Sequence, residues 1–230
     1  LIFKKEYMKL GKAINEAFSH VYVKNIAEST KRLESFTNSA KTVDLDYEVF
    51  KAIRGTDYVF EDYIVKFRPE LYPSPHNQYL VGNYCTSLAV HLNAMQNNYD
   101  SYVICDDDVV FYDISCESFI NKLPPDWDVI VLGDDIFKPQ HHGELNLEET
   151  HSFTFNRMRN MDIAGCHCVA FNKSIYWTMM QYCFMSFDAN GRFGDVTVGD
   201  MTYIPNIFVY QISPNICHQE RIKLKPYTIE

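Results

Sequence analysis

Tyr102-Val103-Ile104-Cys105-Asp106-Asp107-Asp108-Val109-Val110 is the stretch on which the reading of this chain turns. An uncharged, largely apolar run reads as a buried strand, and it leads straight into three carboxylates. Clustered carboxylates repel one another and raise their own pKa values unless a positive charge meets them. Side chains alternate along an extended segment, so Asp106 and Asp108 are expected to face one site and Asp107 to face elsewhere. Oxygen ligands at that spacing suit Mg²⁺ or Mn²⁺, which usually also takes substrate phosphate oxygens. In open α/β sheets ligands bind at the carboxyl ends of strands, where this cluster falls. The alternative is an acidic turn whose Asp side chains cap the next element.

The flanking segments supply the rest of an α/β pattern. Lys4 to Phe18 has apolar residues at loosely helical spacing, and Val21-Tyr22-Val23 reads as a short strand. A helix over Ser29 to Ala40, a strand at Tyr47 to Phe50 and an irregular aromatic and proline-rich excursion over residues 57–80 follow. Gly82 to Asn97 reads as the helix that precedes the acidic strand. Beyond it come a helix over Ser115 to Leu123, a strand at Asp128 to Leu132 and a polar, mobile loop over 134–150 with His141-His142. A strand from Ala164 to Phe171, a helix from Ser174 to Phe184 and a strand from Ile207 to Ile212 complete the series. Strands alternating with helices predict a mostly parallel central sheet with helices on both faces, in one domain spanning 1–230.

Composition narrows the function. The 230 residues are 47% hydrophobic and 22% charged, which excludes a disordered chain. The net charge of −9 argues against nonspecific nucleic-acid binding, which depends on Lys and Arg neutralising phosphate. Residues 101–135 hold nine acidic side chains against Lys122 alone, so the acidity concentrates around the proposed cation site. The seven cysteines follow no framework spacing and form no CxxC, which points to a reducing, cytoplasmic compartment. If the source is a virus, that compartment is the host cytoplasm. Cys166-His167-Cys168 has soft ligands, but alternation separates His167 from the two cysteines, and a buried strand is the expected reading. No apolar run reaches the ~20 residues of a membrane span. The sequence shows no signal-peptide core; because it starts at Leu1 rather than Met, removal or omission of an upstream segment is expected.

Several blocks resemble glycosyltransferase family 25, the lipooligosaccharide and procollagen galactosyltransferase type, whose members adopt the Rossmann-like GT-A fold. Val21-Tyr22-Val23-Lys24-Asn25-Ile26, followed by Arg32-Leu33-Glu34-Ser35-Phe36, resembles the family's opening. Ala52-Ile53-Arg54-Gly55 is similar to its next block, Asp106-Asp107-Asp108-Val109 to its DxD motif, and Asp126-Trp127-Asp128-Val129-Ile130-Val131-Leu132-Gly133 to its later "DWD" block. The blocks keep their order over about residues 20–220. The stretch Gly82 to His91 retains only fragments of the family's pattern, which marks a divergent member.

The resemblance implies a GT-A domain with a small acceptor-side region. It implies a metal-dependent enzyme moving a hexose from a nucleoside-diphosphate sugar, a UDP-hexose above others, to a glycan or glycoprotein, with inversion. Asp108 is then the first ligand of Mn²⁺ or Mg²⁺. Asp106 is the second, or contacts ribose and metal together, Asp107 is a further donor contact, and His218 completes the metal sphere. His218 can equally be an exposed tail histidine. Asn25 and Arg32 are candidates for binding the base, with Gly55 allowing close backbone approach. Arg221, Lys223 and Lys225 are candidates to close over the diphosphate. An acceptor hydroxyl needs a carboxylate base, for which Asp200 is preferred over Asp195. Asp134 and Asp135 are rivals for that role, or ligands of the sugar's hydroxyls. Two other functions stay open: a nucleotide-sugar-binding module without turnover, and a metal-dependent phosphoester hydrolase.

Overall fold

The computed structural model describes residues 7–54, 75–133, 152–161, 163, 165–181 and 195–220. Its organising element is β4 (Ser101–Asp106), buried along its length until the partly exposed Asp106. Side chains of β4 alternate between two separate apolar clusters. Val103 and Cys105 enter one; Tyr102 and Ile104 enter the other. A strand covered on both faces has to be uncharged in its interior, which is why Ser101 to Cys105 reads as it does.

The central sheet has seven strands in the order β3 (Glu48–Lys51), β2 (Val21–Asn25), β4, β9 (Cys168–Asn172), β7 (Val129–Gly133), β10 (Val209–Ser213), β8 (Thr154–Met158). Strands β3, β2, β4, β7 and β10 run one way, while β9 and β8 run against them. The mostly parallel sheet expected from the sequence is thus a mixed one. A parallel neighbour needs a crossover of a dozen or more residues, usually helical. Before β9 comes β8, a strand the sequence pattern did not disclose, and β9 lies between β4 and β7 antiparallel to both.

Helices cover both faces, as expected. Leu10, Ala13 and Ile14 of α1 (Leu10–Ala17) and Phe36 and Ala40 of α2 (Thr30–Thr42) pack with Val21, Val23, Val103 and Cys105. Val90 and Ala94 of α3 (Pro75–Gln96) and Val198 and Met201 of α4 (Asp195–Met201) pack with Tyr22, Tyr102, Ile104 and Val129 on the other face. Among the described residues no helix is long and apolar enough to cross a membrane.

Two short ribbons flank the sheet. β5 (Val109–Phe111) pairs antiparallel with β11 (Cys217–Gln219), and β1 (Tyr7–Lys9) with β6 (Ser115–Glu117). The second ribbon corrects two helix expectations. Residues 7–9, read as part of a helix from Lys4 to Phe18, are extended, and the helix expected over Ser115 to Leu123 does not form: residues 115–117 are extended and 119–123 are turns and bends. Met8 and Cys116 face each other across that ribbon, and Cys116 is fully buried, so tertiary pairing overrides the local helical spacing. The expected loop at 134–150 and residues 57–74 of the expected excursion lie outside the described residues; residues 75–80, read as part of that irregular excursion, are instead the first turns of α3.

Part of the acidic segment is structural. At the N-terminal end of β7, Asp128 Oδ2 accepts the Phe208 N–H at 2.9 Å, and Asp126 Oδ1 accepts the Tyr210 hydroxyl at 2.8 Å. Trp127 between them packs edge-on against Phe18, with ring centroids 5.7 Å apart. These acids therefore tie β7 to β10 at the end of β7 opposite Gly133.

Gly133, the last residue of β7, has no room for a side chain: a Cβ there would lie 2.3 Å from Cys217 Sγ and 3.0 Å from His167 Nε2. Overpacking of this kind costs about 1–3 kcal/mol. Gly133→Ala should lower the melting temperature by several degrees. In a double-mutant cycle with Cys217→Ala, the pair should cost less than the sum of the single changes, as read by thermal melts.

Candidate active site at the acidic edge of the sheet

The three adjacent aspartates are held by three different sets of partners. Alternation along β4 sends Asp106 to the α3 face, the side of Tyr102 and Ile104. There it meets Lys24, its register partner on β2, with Lys24 Nζ 2.8 Å from Asp106 Oδ1. The same ammonium donates to Asn83 Oδ1 of α3 at 2.7 Å. Asp107 goes to the α2 face, where Asn25 Nδ2 donates to its Oδ2 at 2.6 Å and Arg32 Nη2 lies 2.6 Å from its Oδ1.

The strand ends at Asp106, and Asp107 and Asp108 form a turn. Beyond the strand the period of two no longer applies, so Asp108 joins Asp107 on Arg32, with Nη2 2.5 Å from Asp108 Oδ2. This corrects the expectation that Asp106 and Asp108 share a site while Asp107 stands apart. Gln219 Nε2 donates to Asp108 Oδ2 at 3.0 Å, and the Glu220 N–H donates to the Asp108 carbonyl at 2.7 Å. Strand β11 thus closes over the turn from the far end of the chain.

The placement of the remaining expected residues follows. Asn25 and Arg32 stand at the acidic edge, as expected of residues near the end of β2, but both are engaged with carboxylates. Asn25 also donates to the Ser29 carbonyl at 3.2 Å. His218 alternates away from Gln219 on β11; it is exposed, with its ring 5.2 Å from that of Tyr112. The residue of β11 that reaches Asp108 is Gln219, one position along, so His218 does not stand in the acidic cluster. Asp200 is exposed on α4, on the α3 side of the sheet. The Asp195 side chain lies outside the described residues, as do Gly55, Asp134, Asp135, Arg221, Lys223 and Lys225. His167 is buried, and neither ring nitrogen has a hydrogen-bond partner.

Lys24 and Gln219 were missed by the sequence reading. A lysine inside Val21-Tyr22-Val23-Lys24-Asn25 carried a usable signal, because a charge on a covered strand requires a counter-charge on its neighbour. Gln219 had no such signal, since a histidine beside it offered the more familiar metal chemistry.

Burial dominates the electrostatics. It pushes the Asp108 carboxyl up to about 6 against the pull of Arg32, with Asp106 adding repulsion. It also raises Asp107, opposed by Arg32 and by the Asn25 hydrogen bond. Among the described residues two cations, Lys24 and Arg32, face the three carboxylates, which leaves one negative charge in excess there. That excess has a visible locus: Asp108 Oδ1 is buried with no hydrogen-bond partner, on a residue only 9% exposed.

Among the described residues, no three His, Cys, Asp or Glu side chains form a group that could hold a metal ion. An orphaned carboxylate oxygen is instead the donor count of a site that takes Mg²⁺ or Mn²⁺ from one or two carboxylates plus substrate phosphates. The residues present fit a cation of that kind through Asp108.

No family model matches the chain, and no curated protein does. Among solved structures, the chain is similar to a glycosyltransferase involved in the glycosylation of the major capsid of PBCV-1. The identity is 8%, with 74% of this chain and 67% of that chain covered and a TM-score of 0.40. It is also similar to A197 from STIV, at 12% identity over 83% of this chain and 79% of that one, again with a TM-score of 0.40.

The raised pKa of Asp108 fixes a sign. A carboxyl that holds its proton more tightly in the fold than in the unfolded chain favours folding at low pH. That contribution is lost as pH rises through about 6. Without added metal, Asp108→Asn should therefore be more stable than the parent at pH 7.5, on the order of 2 kcal/mol. The advantage should vanish near pH 4, as read by thermal melts across that range.

Proposed function

We propose that the protein is a metal-dependent glycosyltransferase that moves a hexose from a nucleoside-diphosphate sugar, a UDP-hexose, to a glycan or glycoprotein acceptor. The observation that carries this reading is Asp108 Oδ1, a buried and unpartnered anionic oxygen at the carboxyl end of the central strand. The motif blocks around it, from Val21 to Gly133, supply the enzyme class by their resemblance to glycosyltransferase family 25.

In this reading Asp108 holds Mn²⁺ or Mg²⁺. The cation, when bound, neutralises the leaving diphosphate as a Lewis acid. Asp106, on the opposite face and more exposed than its two neighbours, contacts the donor's ribose, with Lys24 and Asn83 fixing its carboxylate. Gln219 orients Asp108 from above and takes the place on β11 first given to His218. Asn25 positions Asp107 and lies at the end of β2, where the base of the donor would enter. Asp200, solvent-exposed at the carboxyl end of α4, is the proposed base for the acceptor hydroxyl, with inversion at the anomeric carbon. Asp195, one turn earlier, is its rival.

The reading is tested by calorimetric titration of UDP-sugars and GDP-sugars with and without Mn²⁺. Metal-dependent binding of a UDP-sugar is expected, and Asp108→Ala should abolish its metal-dependent part; an unchanged isotherm removes Asp108 from the ligand role. With a turning-over acceptor, Asp200→Asn should lower kcat about 10²–10⁴-fold, with little change in donor KM, as loss of a general base does. Donor binding with no turnover on any glycan would leave a binding module, and release of phosphate without a sugar donor would indicate a hydrolase.

A further inference from the structure

We propose that Arg32 acts as a resident counter-ion that competes with the divalent cation for Asp108, so that metal binding and release of this arginine are one event. The inference rests on the metal reading above and extends it to a residue first expected to bind the base.

Three observations carry it. Arg32 Nη2 lies 2.6 Å from Asp107 Oδ1 and 2.5 Å from Asp108 Oδ2, so one guanidinium nitrogen serves both carboxylates. The contact is nearly dry: the Arg32 side chain is 16% exposed, and those of Asp107 and Asp108 are 8% and 11% exposed. It is also incomplete on both sides, because Arg32 Nε and Asp108 Oδ1 are buried without partners. A guanidinium satisfied by its site uses its fork bidentately. Here one nitrogen is shared and another is idle, which describes a cation holding a place in the cluster without filling it.

Charge counting gives the direction of the effect. Among the described residues, with Lys24 and Arg32 in place, the three aspartates carry one negative charge in excess. A dication added to the cluster would turn that excess positive while Arg32 remains, so the two cations oppose each other at Asp108. An opposite charge in contact with a carboxylate shifts its affinity for a proton by roughly 1–3 pK units. The same field acts on its affinity for a metal. Arg32 therefore weakens metal binding in the donor-free protein and leaves Asp108 when the cation arrives. It then becomes available to an anionic group such as a diphosphate, tying donor and metal binding together as linked equilibria.

The test is calorimetric titration of Mn²⁺ into the full chain without donor, comparing the parent protein with Arg32→Gln and Arg32→Lys. Gln removes the charge and keeps hydrogen-bonding capacity; Lys keeps the charge. Arg32→Gln should bind Mn²⁺ at least about tenfold more tightly than the parent, with Arg32→Lys close to the parent. Equal or weaker binding by Arg32→Gln, with the parent binding normally, overturns the competition while leaving the metal reading intact. Absence of Mn²⁺ binding in all three proteins overturns both.

A second measurement reads the parent protein itself. In the parent protein titrated with Mg²⁺, the Arg32 Nε–H resonance, identified by its absence from Arg32→Lys, should shift in step with metal occupancy. A resonance unmoved at saturating metal refutes the release of Arg32.

Discussion

The structure depends at its acidic edge on one contact, the guanidinium of Arg32 set between Asp107 and Asp108. Three elements distant in sequence have to be placed correctly for it to form. Arg32, Phe36 and Ala40 fall on one stripe of α2, and burying Phe36 and Ala40 against the sheet fixes where Arg32 stands. Side chains on a helix lean towards its N-terminus, which carries the guanidinium from the first turns of α2 to the carboxyl end of β4. Asn25 from β2 and Gln219 from β11 then take the carboxylate oxygens that face them. The core packing of α2 and the chemistry of the edge are therefore one arrangement.

How three consecutive aspartates come to have separate partners follows from where β4 stops. While the chain is extended, neighbours point to opposite faces, and Asp106 and Asp107 part to Lys24 and to Asn25. The turn that starts at Asp107 then brings Asp108 back beside it. Had the strand run two residues further, Asp106 and Asp108 would have shared the α3 face with Lys24, and Arg32 would have met Asp107 alone. The antiparallel β9 contributes here as well, since its preceding residue accepts the Asp106 N–H through the His167 carbonyl at 2.9 Å. The position of the turn is thus pinned from both neighbouring strands.

The location of this edge was legible because the signal is chemical: an uncharged strand cannot end in three carboxylates without consequence. The helices were legible in part: α1, α2 and α3 from Gly82 onward carry apolar residues at helical spacing, whereas residues 75–80 read as part of an irregular excursion and α4 did not read as a helix. What remained hidden was whatever depends on a partner distant in sequence. Met8 and Cys116 define a ribbon only when β1 and β6 are brought together, and neither segment shows a strand period on its own. The antiparallel insertion of β9 is a property of the sheet, not of Cys168 to Asn172. The choice between His218 and Gln219 rested on one residue of alternation along a three-residue strand, which sequence cannot phase. Asp126 and Asp128 add to the same acidic count as Asp106 to Asp108, yet they serve β10 at the other end of β7.

The His167 ring and Asp108 Oδ1 are both unpartnered near this edge, and they differ in what they require. His167 has both ring nitrogens buried without partners, with Nε2 packed over the backbone of Gly133 beside Cys217. Among the described residues its ring makes no ion pair, and the cost is the ordinary one of desolvating a polar ring. Asp108 Oδ1 is different because it belongs to a cluster with more carboxylates than cations, where the desolvated anion is disfavoured by burial and by Asp106. Removing that charge would favour the fold, whereas a bound cation would favour the fold and keep the charge. A buried, unpartnered anion is the feature on which the proposed cation site rests. That asymmetry is why Asp108, and not His167, carries the functional reading.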